Sequence, residues 1–132
     1  FQPGDHGSTF GGNPLAAAVG LEALNLLTEE GLVEQSAEKG EWLLSRLREI
    51  RSPLIREVRG RGLFIGIEID PELASAREIC LRLMARGLLS KETHEVVVRL
   101  APPLAIDREL LAWAVDQIRE VLEELENVRK AS

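Results

Sequence analysis

The sequence predicts an α+β fold: a small, mostly antiparallel sheet of three to four strands with helices packed on one side. Two short runs, Leu54 to Arg59 and Leu63 to Ile69, flank Gly60-Arg61-Gly62 in the pattern of a β-hairpin. Segments before and after them carry apolar residues at three- and four-residue steps, the period of amphipathic helices. Taken in order, the elements read α-α-β-β-α-β-β-α.

Residues 1–12 hold Gly4, Gly7, Gly11 and Gly12 with little hydrophobic periodicity and read as a loop. Asn13-Pro14 then opens a helix, with Asn as the N-cap and Pro at the first helical position. From Leu15 to Leu27 this helix is apolar nearly all round, broken only by Gly20, Glu22 and Asn25. A helix of that kind is covered on several sides. It is therefore expected to pack on a large domain that this chain does not include.

Glu29-Glu30-Gly31 makes a turn into a second helix, whose stripe is Val33, Ala37, Gly40, Leu44 and Leu47 and which ends near Ile50, before Pro53. In the second hairpin strand Leu63, Ile65, Ile67 and Ile69 share one face, and Phe64, Gly66 and Glu68 the other. Ser75 with Glu78 three residues on predicts a capping box for a short helix with Ile79, Cys80 and Leu83 buried. Gly87 closes that helix. Leu88 to Lys91 and Val96 to Leu100 read as strands. Asp107 caps a last helix with its stripe at Leu111, Ala114, Ile118, Val121 or Leu122, and Leu125. The expected organisation is a loop over 1–13, a linking helix over 14–30, a small domain over 31–126 and a frayed tail over 127–132.

The 132 residues suit one compact domain. With 16 basic against 22 acidic residues the net charge is -6, and the arginines form no stripe, which speaks against a nucleic-acid partner. No apolar run approaches the roughly 20 residues of a membrane span, so no membrane role is expected. The lone Cys80 reads as a small core residue. The chain opens in mid-loop at Phe1 and is expected to be a fragment of a cytoplasmic protein.

The densest chemical signal is His6-Gly7-Ser8-Thr9-Phe10-Gly11-Gly12-Asn13-Pro14. Glycines let backbone amides approach an anion, the helix start offers unpaired N–H groups, and hydroxyls add donors suited to a phosphate oxygen. On composition alone it reads either as such a cradle or as a surface loop that ends in a helix cap. It matches neither the Walker A nor the dinucleotide fingerprint. His6 and His94 lack metal-ligand spacing, and no metal site is expected. Arg99 offers a planar fork for a carboxylate, stiffened by Pro102-Pro103 behind it, or is an exposed strand-end arginine. Glu123, Glu124 and Glu126 read as a solvated helix face, and Trp42 and Trp113 as packing against the core or at an interface with the missing domain.

The run His6 to Leu15, then Val58-Arg59-Gly60-Arg61-Gly62-Leu63 and Gly66-Ile67-Glu68, resembles class III aminotransferases of fold type I, which depend on pyridoxal phosphate. Lys91-Glu92-Thr93-His94 followed by Arg99-Leu100-Ala101-Pro102-Pro103-Leu104 resembles the ornithine aminotransferase branch. The resemblance covers almost the whole chain. It implies that Thr9 hydrogen-bonds the phosphate of the neighbouring subunit's cofactor with Ser8 beside it, and that Arg99 receives a substrate carboxylate. It implies ornithine and 2-oxoglutarate as substrates and a homodimer or higher homo-oligomer. The family's Schiff-base lysine precedes the phosphate loop, so Lys91 is not that residue and this chain holds no catalytic residue of its own. Pyridoxal phosphate is not expected to bind this fragment alone, and alone it is expected to be inactive. The resemblance leaves two alternatives: the small domain of a related class III enzyme such as an acetylornithine aminotransferase, or a non-catalytic stand-alone domain of the family.

Overall fold

The structure, a computed structural model, describes residues 2–3 and 5–131. The chain divides into two compact units, Phe1–Val33 and Glu34–Ser132. The first holds the N-terminal loop and α1 (Pro14–Glu29). Asn13 caps α1 as its sequence predicts, its Oδ1 accepting from the Ala16 N–H at 2.8 Å. The same side chain donates through Nδ2 to the Phe10 carbonyl at 2.8 Å, which ties the loop to the helix start. No residue of α1 is buried, and Leu15, Val19, Leu21 and Leu24 are all exposed.

The second helix, α2 (Leu32–Arg48), leads into a four-stranded sheet built from β1 (Ile55–Arg61), β2 (Phe64–Ile69), β3 (Lys91–Thr93) and β4 (Val97–Leu100). The strand order is β1-β2-β4-β3 and every neighbouring pair is antiparallel. Helix α3 (Ala76–Ala85) joins β2 to β3, and α4 (Arg108–Lys130) ends the unit. Val58, Ile65, Ile67, Ile69, Val98 and Leu100 point from one sheet face into a single core. Leu43 and Leu47 of α2, Ile79 and Leu83 of α3, and Leu111, Ile118 and Leu122 of α4 complete it. The α+β layout with helices on one side is therefore the one the periodicities predict.

Several local expectations are corrected. The hairpin turn lies on Gly62 and Leu63 rather than on Gly60-Arg61-Gly62, because β1 stays paired through Arg61, opposite Phe64. Only Gly62 takes a positive φ there, +53°, a conformation that costs a residue with a Cβ. The buried stripe of α2 is Gly40, Leu43 and Leu47, while Val33 and Ala37 are exposed. Ser75 starts α3 without a side-chain cap bond, and Glu78, the other half of the expected box, pairs with Arg82 one helical turn on, at 2.9 Å. The strand expected at Leu88 begins at Lys91, and α4 stays helical through Asn127, Val128, Arg129 and Lys130, where a tail was expected. The acidic face of α4 is not merely solvated. Glu120 and Glu124 clasp Arg86 beyond the end of α3, and Glu126 accepts from Ser52 Oγ at 2.6 Å.

Gly40 is where α2 crosses the hairpin. A Cβ built on it would fall 2.1 Å from the Gly62 carbonyl oxygen and 2.6 Å from the Gly62 Cα. Beside this contact Ser36 Oγ accepts from the Leu63 N–H at 3.3 Å, and Leu63 itself is buried. Backbone cannot yield as a flexible side chain does, so any larger residue must push the helix off the turn. Gly40→Ala is therefore expected to lower the stability of the chain in urea unfolding by at least about 2 kcal/mol. Gly20→Ala, with nothing within 4 Å of its Cβ, is expected to raise helix content instead. An unchanged midpoint for Gly40→Ala would contradict the contact.

Candidate functional site

The loop ahead of α1 is held by short backbone turns. The Asp5 N–H reaches the Gln2 carbonyl at 3.1 Å, and the Gly11 N–H reaches that of Ser8 at 3.4 Å. A Cβ on Gly11 would press on Ser8 Cβ at 3.0 Å, and Gly12 sits at φ +76°. Ser8 and Thr9 are exposed, and among the described residues no hydrogen bond engages either hydroxyl. The first turn of α1 contains no acidic side chain, so apart from the Asn13 cap no negative charge offsets the positive end of the helix. The donor set fits a phosphate group: two hydroxyls free to rotate, beside a glycine-rich backbone and a helix start.

In the second unit the sheet face turned away from the core carries the charges. Ladder register sets Arg59 opposite Gly66, Gly66 opposite Arg99, and Arg99 opposite Lys91. Three cations and a glycine thus share one row across four strands. Like charges placed directly opposite repel, so such a row needs compensation or an anionic visitor. Arg59 is compensated. Its Nη1 donates to Glu57 Oε2 at 2.7 Å and to Glu68 Oε2 at 2.6 Å, and these two acids themselves stand opposite each other. The Glu68 bond is the largest cause of the raised Arg59 pKa; desolvation opposes it, and the Glu57 bond adds to it.

Arg99 has a different setting. It is half-buried, and its Cζ lies 5.7 Å from the centroid of the Phe64 ring. Among the described residues no carboxylate lies within ion-pair distance of it. A groove of about 490 Å³ runs over this face, lined by Arg59, Arg61, Phe64, Thr93, His94 and Arg99. His94 and Glu95 form the β3–β4 turn at φ 51° and 65°, two successive left-handed residues without glycine. That conformation is strained and fixes where His94 stands at the groove edge.

The structure therefore brings Arg99, His94 and Lys91 to one face, while Ser8 and Thr9 belong to the other unit. Arg59, Gly66 and Glu68 are named in the sequence only as parts of motifs and Phe64 only as part of a strand face; none of them, nor Glu57, is given a site role there. An aromatic on the polar face of an alternating strand was the available signal. Trp42 is half-buried against the core with Arg108 4.9 Å and Arg46 5.8 Å from its ring. Trp113 is 41% exposed and lines an apolar hollow with Leu88, Pro103, Ile106 and Leu110 rather than sitting in the core.

Residues 1–122 match the aminotransferase class III family. The chain belongs to the class III aminotransferases. It is 53% identical over 122 residues to an ornithine aminotransferase of Brevibacillus brevis, a match that covers 92% of this chain and 30% of that protein. An ornithine aminotransferase of Halalkalibacterium halodurans is 57% identical over the same length and shares. Among solved structures, ornithine δ-aminotransferase of Plasmodium falciparum superposes with a TM-score of 0.87 at 40% identity, over 96% of this chain and 34% of that one. Acetylornithine aminotransferase of Elizabethkingia anophelis superposes at 0.82 and 42% identity, over 94% and 32%. The chain thus spans about a third of the length of the class III enzymes it matches.

Cys80 of this class III segment lies on the buried side of α3, as its sequence predicts, and burial raises its pKa. Only the thiolate is nucleophilic, so both access and ionisation protect it. Iodoacetamide at pH 8 is expected to label Cys80 readily in urea and at least about tenfold more slowly in the folded chain. Equal rates in the two states would contradict the burial.

Proposed function

We propose that the complete protein carrying this segment is a pyridoxal-phosphate-dependent ornithine aminotransferase, moving the δ-amino group of ornithine to 2-oxoglutarate. The observation that carries the reading is Arg99: a guanidinium in an open groove, set over an aromatic ring and, among the described residues, left without a carboxylate. The likeness to ornithine aminotransferases over nine-tenths of the chain supports the same reading. In this proposal residues 1–13 form the phosphate-contacting loop, 14–30 the linking helix and 31–126 the small domain.

The roles follow from the chemistry of the side chains. Ser8 and Thr9 hold the phosphate of the cofactor in the neighbouring subunit of a homodimer or higher homo-oligomer, each hydroxyl donating to a phosphate oxygen. The amino end of α1 lowers the energy of that charge. When bound, the cofactor supplies the electron sink that amino-group transfer requires. Arg99 takes the carboxylate of the oxo acid in its planar fork through two parallel N–H donors and stays charged throughout. The groups that link the cofactor and move protons lie outside this segment, so the segment alone is inactive. A cytoplasmic setting belongs to the same proposal.

One second reading has an observation behind it. The acetylornithine aminotransferase structure is as similar in sequence as the ornithine ones, at 42% identity. Lys91-Glu92-Thr93-His94 ahead of β4 favours the ornithine branch over it.

Arg99→Lys in the complete enzyme keeps the charge and loses the fork. It is expected to raise KM for 2-oxoglutarate about tenfold or more while thermal stability stays the same, because Arg99 lies on the face away from the core. Unchanged kinetics toward 2-oxoglutarate would contradict the carboxylate role. Turnover of acetylornithine in preference to ornithine would select the second reading.

A further inference from the structure

Arg99 carries its guanidinium on a long rotatable stem that must stand still to act as a fork, and an acid that held it there would compete for the same donors. Two acids of its sheet face, Glu57 and Glu68, are both engaged by Arg59. Glu92, one residue along from Lys91 on β3, pairs with Arg77 at 2.7 Å. What does meet the guanidinium is Phe64. It is the first residue of β2, on the outward face, and it is 61% exposed. Such a residue adds little to the core, so its place needs another reason.

The register supplies one. Arg99 stands directly opposite Gly66, and Phe64 is the diagonal neighbour on the same face. Gly66 places no side chain between the two on that face. A Cβ on Gly66 would also crowd Val97 Cγ1 at 3.0 Å. A ring face attracts the flat face of a guanidinium and leaves its N–H edge outward. We infer that Phe64 is a positioning residue for Arg99: it fixes the plane of the fork while leaving all of its donors for a substrate carboxylate. This rests on the carboxylate role of Arg99 proposed above. An acid in the same place would orient the fork and also occupy it.

The test is steady-state kinetics of the complete holoenzyme with Phe64→Leu, Phe64→Tyr and Arg99→Ala, together with thermal unfolding of each. Phe64→Leu keeps apolar bulk and removes the ring. It is expected to raise KM for 2-oxoglutarate about two- to fivefold, with kcat, KM for ornithine and the unfolding temperature unchanged. Phe64→Tyr is expected to restore the wild-type KM. A raised KM in Arg99→Ala with no change in Phe64→Leu would overturn the positioning role alone. No change in Arg99→Ala would overturn the carboxylate reading beneath it. A Phe64→Leu variant with both KM values raised together, or one that Tyr does not rescue, would show a general structural role and also overturn the inference.

Discussion

Helix α2 and the β1–β2 turn meet backbone to backbone, with Gly40 against Gly62 and no room for a methyl group between them. Two properties of glycine are needed at one spot. Gly62 supplies a left-handed turn, and Gly40 supplies the absence of a side chain where a helix must come that close. Ser36 then seals the junction by accepting from the Leu63 N–H, and Leu63 is drawn into the core. Once the turn is fixed, the alternation of β2 is fixed with it, since a slip of one residue would exchange its two faces. Ile65, Ile67 and Ile69 go inward, so Phe64, Gly66 and Glu68 must go outward. The outward face is therefore decided by a packing contact on the inward one.

That outward face sorts its charges by neighbour. Arg59 lies opposite a glycine and between two glutamates, and it closes the repulsion between them. Arg99 lies opposite the same glycine from the other side and finds a ring instead. Both arginines flank Gly66 in the ladder, but only Arg59 is neutralised among the described residues. The ionic cluster consolidates the sheet edge, although exposed pairs of this kind contribute little stability each. The aromatic contact leaves a cation available to a visiting anion. The same strand thus carries a structural arginine contact and, in the proposed enzyme, a binding one.

Much of this was legible in the sequence where a local rule dominates. Asn13-Pro14 marks the start of α1 because a cap needs only its own turn, and the alternation in β2 needs only its own strand. The phase of α2 was not legible. Leu43 and Leu44 are adjacent, and the choice between them is made by the hairpin beneath Gly40, which a helical period cannot see. The box expected at Ser75 lost to an ion pair between Glu78 and Arg82, two arrangements that the same residues permit. For the site, Arg99 and the Ser8-Thr9 loop were reached through motifs. Phe64 was not, because β2 pairs with β4 across an intervening helix and strand, and only that pairing sets the ring beneath the guanidinium.

The central claim is that an unpaired Arg99, laid on Phe64, is the carboxylate-binding end of an aminotransferase. A crystal structure of the complete protein with a dicarboxylate substrate analogue tests it most directly. The analogue's carboxylate is expected on two N–H groups of Arg99, with the guanidinium still over the Phe64 ring. A carboxylate bound elsewhere while Arg99 stays on Phe64, or an Arg99 swung away from the ring to reach it, would contradict it.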